Sequence, residues 1–273
     1  MSRRDPLRLL RSEVGLTFRR PRNLALLGVL AVVPVLVGVG LRIAGDGAEG
    51  PQAFLSQVAG NGVVLTFAAF FVMVPLILPL AVAVVAGDAI AGEANLGTLR
   101  YLLTAPAGRT HLLAVKYGNI VIFAFTACLV VAVAGLAAGF ALFPVGPVTL
   151  LSGTTVPLAD GLLRIGLVAL YTAAGMAALG ALALAVSTLT EAPIGAIAAT
   201  VVLLVVAQVL QAIPALSAIK PYLLTSWWNV ADGALRDPIG FDRMGEGLLA
   251  YLAYVVIFGS IAWARFTGKD VTA

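Results

Sequence analysis

The sequence predicts an all-α membrane protein with six transmembrane helices, and three observations predict it. Hydrophobic residues make up 61% of the 273-residue chain and charged residues only 11%, a balance that no soluble core of this length needs. A membrane-crossing helix takes about 20 mostly apolar residues. Six segments supply that, at residues 23–41, 63–87, 112–142, 161–187, 193–213 and 247–264. Apolar–polar alternation is absent and the runs are too long for barrel strands, so the spans are helices.

Residues 1–22 predict an N-terminal amphipathic helix on the membrane surface. Leu7, Leu10, Val14 and Phe18 recur at helical spacing, while Arg4, Arg8, Arg11 and Arg19 can reach lipid phosphates. A basic lead of this length ahead of a long apolar run reads as an uncleaved first span rather than a signal peptide. The 42–62 loop is Gly-rich and mildly acidic. In the second span Pro75 and Pro79 each remove a backbone donor and should bend the helix. The third span carries Gly135 and Gly139 at GxxxG spacing, and the fourth carries Gly175 and Gly180 among alanines, which predicts close helix packing. A tight turn at Thr190, Glu191 and Pro193 leads into the fifth span, with Thr190 as cap and Pro193 in the first turn. Residues 215–246 form the longest connector. Its apolar part, 219–230, is too short to span and holds Trp227 and Trp228, so it reads as a half-inserted segment followed by a solvated stretch.

Charge sets the topology. Arg3, Arg4, Arg8, Arg11, Arg19, Arg20, Arg22, Arg100, Arg109, Lys116, Arg265 and Lys269 fall on one face of the six-span layout, and Arg42, Arg164, Lys220, Arg236 and Arg243 on the other. Twelve against five places both termini in the cytoplasm of a cell with this chain in its plasma membrane. The basic excess is thereby an orienting feature, and no nucleic-acid partner is expected. The lone Cys128 lies in the third span and excludes an intrachain disulfide.

No catalytic constellation is visible. HExxH and GxxxxGK[ST] are absent, His111 has no Cys or His companion, and Ser152 lacks a base. Asp88 has no second carboxylate in a facing span. Asp232, Asp237, Asp242 and Glu246, interspersed with Arg236 and Arg243, read as a solvated loop rather than a metal site. The chain is therefore expected to be no enzyme and to bind no metal. The spans are expected to hold no buried charge, only the mild polar groups Thr66, Thr126, Tyr171, Thr172, Thr200, Gln208 and Gln211. Of these, Thr66, Thr126, Tyr171, Thr172, Gln208 and Gln211 are the candidates to line a substrate path. A gradient-coupled carrier keeps a buried ionisable group, so the energy for transport should come from a nucleotide-hydrolysing partner.

The connector at 88–110 is the one long polar, helix-forming interruption between spans. Gly97 lets the backbone turn. Thr98 can cap a short helix through Tyr101 and Leu103, ended by Pro106. That helix would show Leu99, Leu102 and Leu103 on one side and Arg100 and Thr104 on another, with Glu93 pairing with Arg100 or with a partner's charges.

Gly92-Glu93, Gly97-Thr98-Leu99, Leu102-Leu103, Pro106, Arg109 and Lys116 resemble the cytoplasmic loop of ABC-2 family permeases. The neutral Ala94-Asn95-Leu96 and the cation at Arg100 depart from that pattern. The resemblance implies the transmembrane subunit of an ATP-driven exporter. The connector would be its coupling helix, docking an ATPase through Gly92, Glu93, Gly97, Thr98, Leu99, Arg100, Leu102, Leu103, Pro106, Arg109 and Lys116. It further implies two ATPase subunits that hold ATP and Mg, a second permease copy or a homologous permease, surrounding membrane lipids, and an extracellular re-entrant segment before the last helix. This chain itself would bind no cofactor. The substrate would be amphipathic or lipid-like: a drug, antibiotic, peptide or lipid. The alternatives are a membrane enzyme of lipid metabolism and a secondary carrier.

Overall fold

The computed structural model describes residues 6–45, 61–97, 108–150 and 152–268. The order is α1 (Pro6–Arg19), α2 (Pro21–Gly45), α3 (Gly62–Met73), α4 (Ile77–Asn95), α5 (Arg109–Leu142), β1 (Val148–Thr149), β2 (Thr155–Val156), α6 (Leu158–Leu189), α7 (Pro193–Ala212), α8 (Leu224–Trp228) and α9 (Phe241–Gly268). Short 3-10 turns at Pro214–Leu216, Lys220–Tyr222 and Asn229–Leu235 flank α8. Six helices, α2, α4, α5, α6, α7 and α9, are long and apolar enough to cross a membrane. The chain is a multi-pass, all-α membrane protein.

Helix α6 is the central post. It packs against α9, α5 and α4, and its most apolar stretch is 78% buried, against 17% for those of α2, α7 and α9. Those three outer helices present rows of exposed Leu, Ile and Val, such as Leu36, Val202 and Leu249. In water such rows would drive aggregation; against lipid tails they need no cover.

The second span differs from the expected bent helix. It is two helices, α3 and α4, separated at 74–76. Pro75 lies in the break, while Pro79 falls in the first turn of α4, where its missing N–H has no partner to lose. Gln208 on α7 donates to the Pro75 carbonyl that the break frees. The pair still makes one crossing. Asn61 ahead of α3 donates to the carbonyls of Gly146 and Pro147, at 3.0 and 2.8 Å. Asp88 of α4, at the opposite end, reaches Arg20.

Glycines set the closest approaches. A Cβ on Gly139 would fall inside the contact radius of the Gly62 carbonyl oxygen, and one on Gly62 would strike Gly139 in return. Gly135 sits against Thr66. The GxxxG pair thus joins α5 to α3 within one chain. Gly175 makes room for Tyr251 and Gly180 for Ile120.

The two ends of the bundle differ. The proximal end gathers α1, the head of α5 and the tail of α9; Arg109 donates to the Thr267 carbonyl at 2.8 Å. At the distal end Arg42 donates to the Leu142 carbonyl at 2.9 Å. A small antiparallel hairpin pairs Val148 with Val156 and Thr149 with Thr155, an element too short to be read from its residues. Helix α1 exposes Arg8, Arg11 and Arg19 but packs on α5 as well: the Phe18 and Phe123 rings lie 6.1 Å apart. At the turn before α7, Ala192 occupies the cap position, and Thr190 instead accepts from the Ala192 N–H at 3.1 Å.

Arg164 holds the segment before the last helix in place. It is 4% exposed. It donates to Asp160 at 2.9 Å and to the Ala234 and Arg236 carbonyls at 2.8 and 2.7 Å. Tyr171 adds a bond to the Trp227 carbonyl at 3.0 Å. Replacing Arg164 with Met should remove about 2 kcal/mol, the scale of charge-assisted bonds. Hydrogen exchange in residues 229–236 should then accelerate, whereas unchanged protection there would deny Arg164 this role.

Candidate functional site

The densest polar cluster lies at the proximal end, where α1, α2, α4 and α5 meet. Lys116 Nζ stands 3.0 Å from both carboxylate oxygens of Glu13 on α1 and also contacts Glu93 on α4. Lys116 is 4% exposed, so its charge is tolerated only because carboxylates face it. Beside it, Asp88 accepts from Arg20 at 2.7 Å and from Arg22 at 2.9 Å. Those arginines flank Pro21, which opens α2, so the α1–α2 corner is what aims them.

Helix α4 is held by a clamp from α6. Ser187 Oγ accepts from the Ile90 and Ala91 N–H groups at 3.2 and 2.9 Å and donates to the Gly87 carbonyl at 2.7 Å. This fixes the stretch that carries Asp88 and Glu93. Gly92 leaves space for the Asp88 carboxylate: a Cβ there would lie 2.5 Å from Oδ1. A cavity of about 450 Å³ opens among these groups, with Thr17, Asn23 and Asn119 in its wall. Asn23 Nδ2 donates to the Thr17 carbonyl at 2.9 Å, and Asn119 Nδ2 bonds Thr17 Oγ1 at 2.8 Å.

Several expectations change. Glu93 meets Lys116, which also meets Glu13, a pairing across three helices that its sequence neighbourhood did not show; the anticipated pairing of Glu93 with Arg100 falls on a residue outside the described ones. Thr98, Leu99, Arg100, Leu102, Leu103 and Pro106 lie outside the described residues. Gly97 follows α4 with φ of 69°, and its N–H bonds the Ala94 carbonyl at 3.0 Å. That left-handed ending suits glycine. The expectation of spans without buried charge is corrected: Lys116 and Arg164 are both buried within helices. A paired cation near a helix end can keep its partners there, whereas the middles of α2, α3, α5, α6, α7 and α9 remain uncharged and Asp88 stands in the second half of α4.

The candidate path residues divide. Gln208 and Gln211 border a cavity of about 370 Å³ that also touches Pro75, Thr225 and Trp228. Thr172 borders a second one of about 170 Å³, which shares Pro75 and Trp228 with the first. Thr66 is instead packed at Gly135, Thr126 bonds its own Ile122 carbonyl, and Tyr171 braces Trp227. On the distal loop Asp232 accepts from Arg236 at 3.0 Å.

Glu13, Arg20, Arg22, Asp88, Asn23 and Asn119 were not singled out from sequence as site residues. Weak signals existed. Glu13 is an acid within a basic lead, and Asn119 lies three positions after Lys116, on the same helix face.

No curated protein matches this chain. A family model described as "Protein of unknown function (DUF2705)" matches residues 32–272. Glu13, Arg20 and Arg22 precede that stretch, whereas Asp88, Glu93, Lys116 and Asn119 fall inside it. With most of its length covered, the chain belongs to the DUF2705 family, whose function is unknown.

Proposed function

We propose that this chain is the membrane-spanning permease subunit of an ATP-driven exporter of the ABC-2 type. The observation that carries the reading is the Lys116 junction. Glu93 lies in the last turn of α4, within the first part of the connector, and Lys116 lies just after the connector in α5; their ion pair, extended to Glu13, links α4, α5 and α1. A push on the connector would reach three helices at once. Rigid-body motion of packed helices is the established way such a local input becomes a large change. The uncharged helix middles favour an external energy source over gradient coupling.

In this reading two ATPase subunits, which hold ATP and Mg, dock at the connector, and a second permease completes the assembly. The proximal end faces the cytoplasm, as the basic residues there favour, with the chain in the plasma membrane. Helix α1 lies at the inner interface, and the segment of α8 and its 3-10 turns is the re-entrant element. The two cavities at Pro75 and Trp228 offer apolar walls with a few polar groups, which suits an amphipathic or lipid-like substrate. Glu93→Gln combined with deletion of Gly97 and Thr98 should abolish co-purification of the ATPase and substrate-stimulated hydrolysis. If both persist at the wild-type level, the connector is not the docking element.

A further inference from the structure

The break in the second crossing opens onto a two-lobed space. Helix α3 has 12 residues, which places the break about 18 Å from its distal start. That depth is near the middle of a hydrocarbon layer about 30 Å thick. Two cavities meet there, of about 370 and 170 Å³, and Val74, Pro75, Trp228 and Asn229 border both. They are lobes on either side of a shared waist. Together they reach the size of a drug-sized ligand site, which starts at about 300 Å³.

The lobes differ in kind. The larger adds Gln208, Gln211 and Thr225 to the Asn229 of the waist, and the smaller adds Phe67, Phe70, Val168 and Leu235. One lobe is rich in uncharged hydrogen-bonding groups, the other in apolar and aromatic ones. Gln208 Nε2 donates to the Pro75 carbonyl, so its Oε1 is the end that remains to accept. The amides of Gln211 and Asn229 can each donate and accept. Thr225 and Trp228 are 3% and 5% exposed. Thr225 Oγ1 and Trp228 Nε1 have no hydrogen-bond partner among the described residues, and an indole N–H can only donate. Such groups are costly at a depth where lipid offers no partner. A ligand carbonyl beside them relieves that cost, and a ligand N–H answers the amide oxygens. The carboxylate on these walls, Asp232, is met by Arg236 at 3.0 Å, so its charge is already matched.

We propose that the two lobes form one site for an uncharged ligand that carries secondary amides on an apolar body. An end-capped or cyclic peptide of apolar residues has that chemistry, and so has an N-acyl lipid. The apolar groups fill the lobe of Phe67 and Phe70, and the amides pair with Gln211, Thr225 and Asn229. That this ligand is the cargo rests on the exporter reading. Its binding needs no ATPase, so a failure to bind and a failure of ATPase docking are separate results.

The test is isothermal titration of the purified full-length chain in a mild detergent. The probes are acetyl-Phe-Leu-Phe-amide and the same peptide with a free C-terminal carboxylate, then N-methyldodecanamide and dodecanoate. Each neutral amide should bind about tenfold more tightly than its charged counterpart, because an unpaired charge is costly to bury. The tighter of the two amides identifies the source: the peptide if the site takes peptides, the acyl amide if it takes lipids. Thr225→Val should weaken binding of the tighter amide about fivefold, the value of roughly one hydrogen bond, and Thr225→Ser should keep it. The thermal midpoint of Thr225→Val should hold or rise, since the lost hydroxyl has no partner in the protein. Gln211→Leu, on the half-buried rim of the larger lobe, should weaken binding by a similar factor. Equal affinity for neutral and charged probes, or amide binding that both Thr225→Val and Gln211→Leu leave intact, overturns the proposal.

Discussion

Lys116→Met should cost about 3–5 kcal/mol of stability, the range measured when one partner of a buried ion pair is removed. The lysine is 4% exposed and faces two carboxylates. Its loss removes the buried cation that Glu13 and Glu93 share. Thermal unfolding in a mild detergent would show the drop. The triple variant Lys116→Met, Glu13→Gln, Glu93→Gln should recover much of it, because a neutral cluster needs no counter-charge. A Lys116→Met loss of under about 1 kcal/mol, typical of exposed pairs, would show that the junction is solvated rather than buried.

Gly139→Ala should be nearly as damaging, at about 3 kcal/mol. Overpacking a tight interface usually costs 1–3 kcal/mol through displaced neighbours, and here the neighbour is a backbone carbonyl that has no rotamer to turn aside. Helix α3 would have to lift off α5, which also exposes the Thr66–Gly135 contact. Gly166→Ala is the control. Nothing lies within 4 Å of a Cβ there, so it should change stability by less than about 1 kcal/mol. Similar midpoints for the two variants would show that α3 and α5 do not pack through these glycines.

The spans were legible because a long apolar run has one solution in lipid. The boundaries of the third span match α5 to within a few residues, and a turn of three residues, 190–192, separates the fourth and fifth. The second span was only half legible. Two prolines signalled distortion, but which one breaks the helix depends on where the next helix restarts, and at Pro79 the ring fits a first turn without loss. The hairpin at 148–156 was invisible because two-residue strands leave no periodic trace. The charged cavity was illegible for a different reason. Lys116 and Glu13 are 103 positions apart, and Arg20 and Asp88 are 68 apart. Basic residues near a membrane satisfy a topology rule whether or not they meet an acid, so nothing local distinguished Lys116 and Arg22 from residues that merely orient the chain.

The split second crossing has a mechanical consequence. Its halves answer to different neighbours: α3 is anchored by Asn61 and Gly62 to the loop after α5, while α4 is clamped by Ser187 and capped by the charged cluster. Between them the rod is already interrupted, so swinging one half relative to the other ruptures no further rung of the helical ladder. Among the described residues, the side-chain hydrogen bond from another helix to the joint is that of the Gln208 amide to the Pro75 oxygen. That bond makes a single side chain of α7 the latch on a mid-membrane elbow.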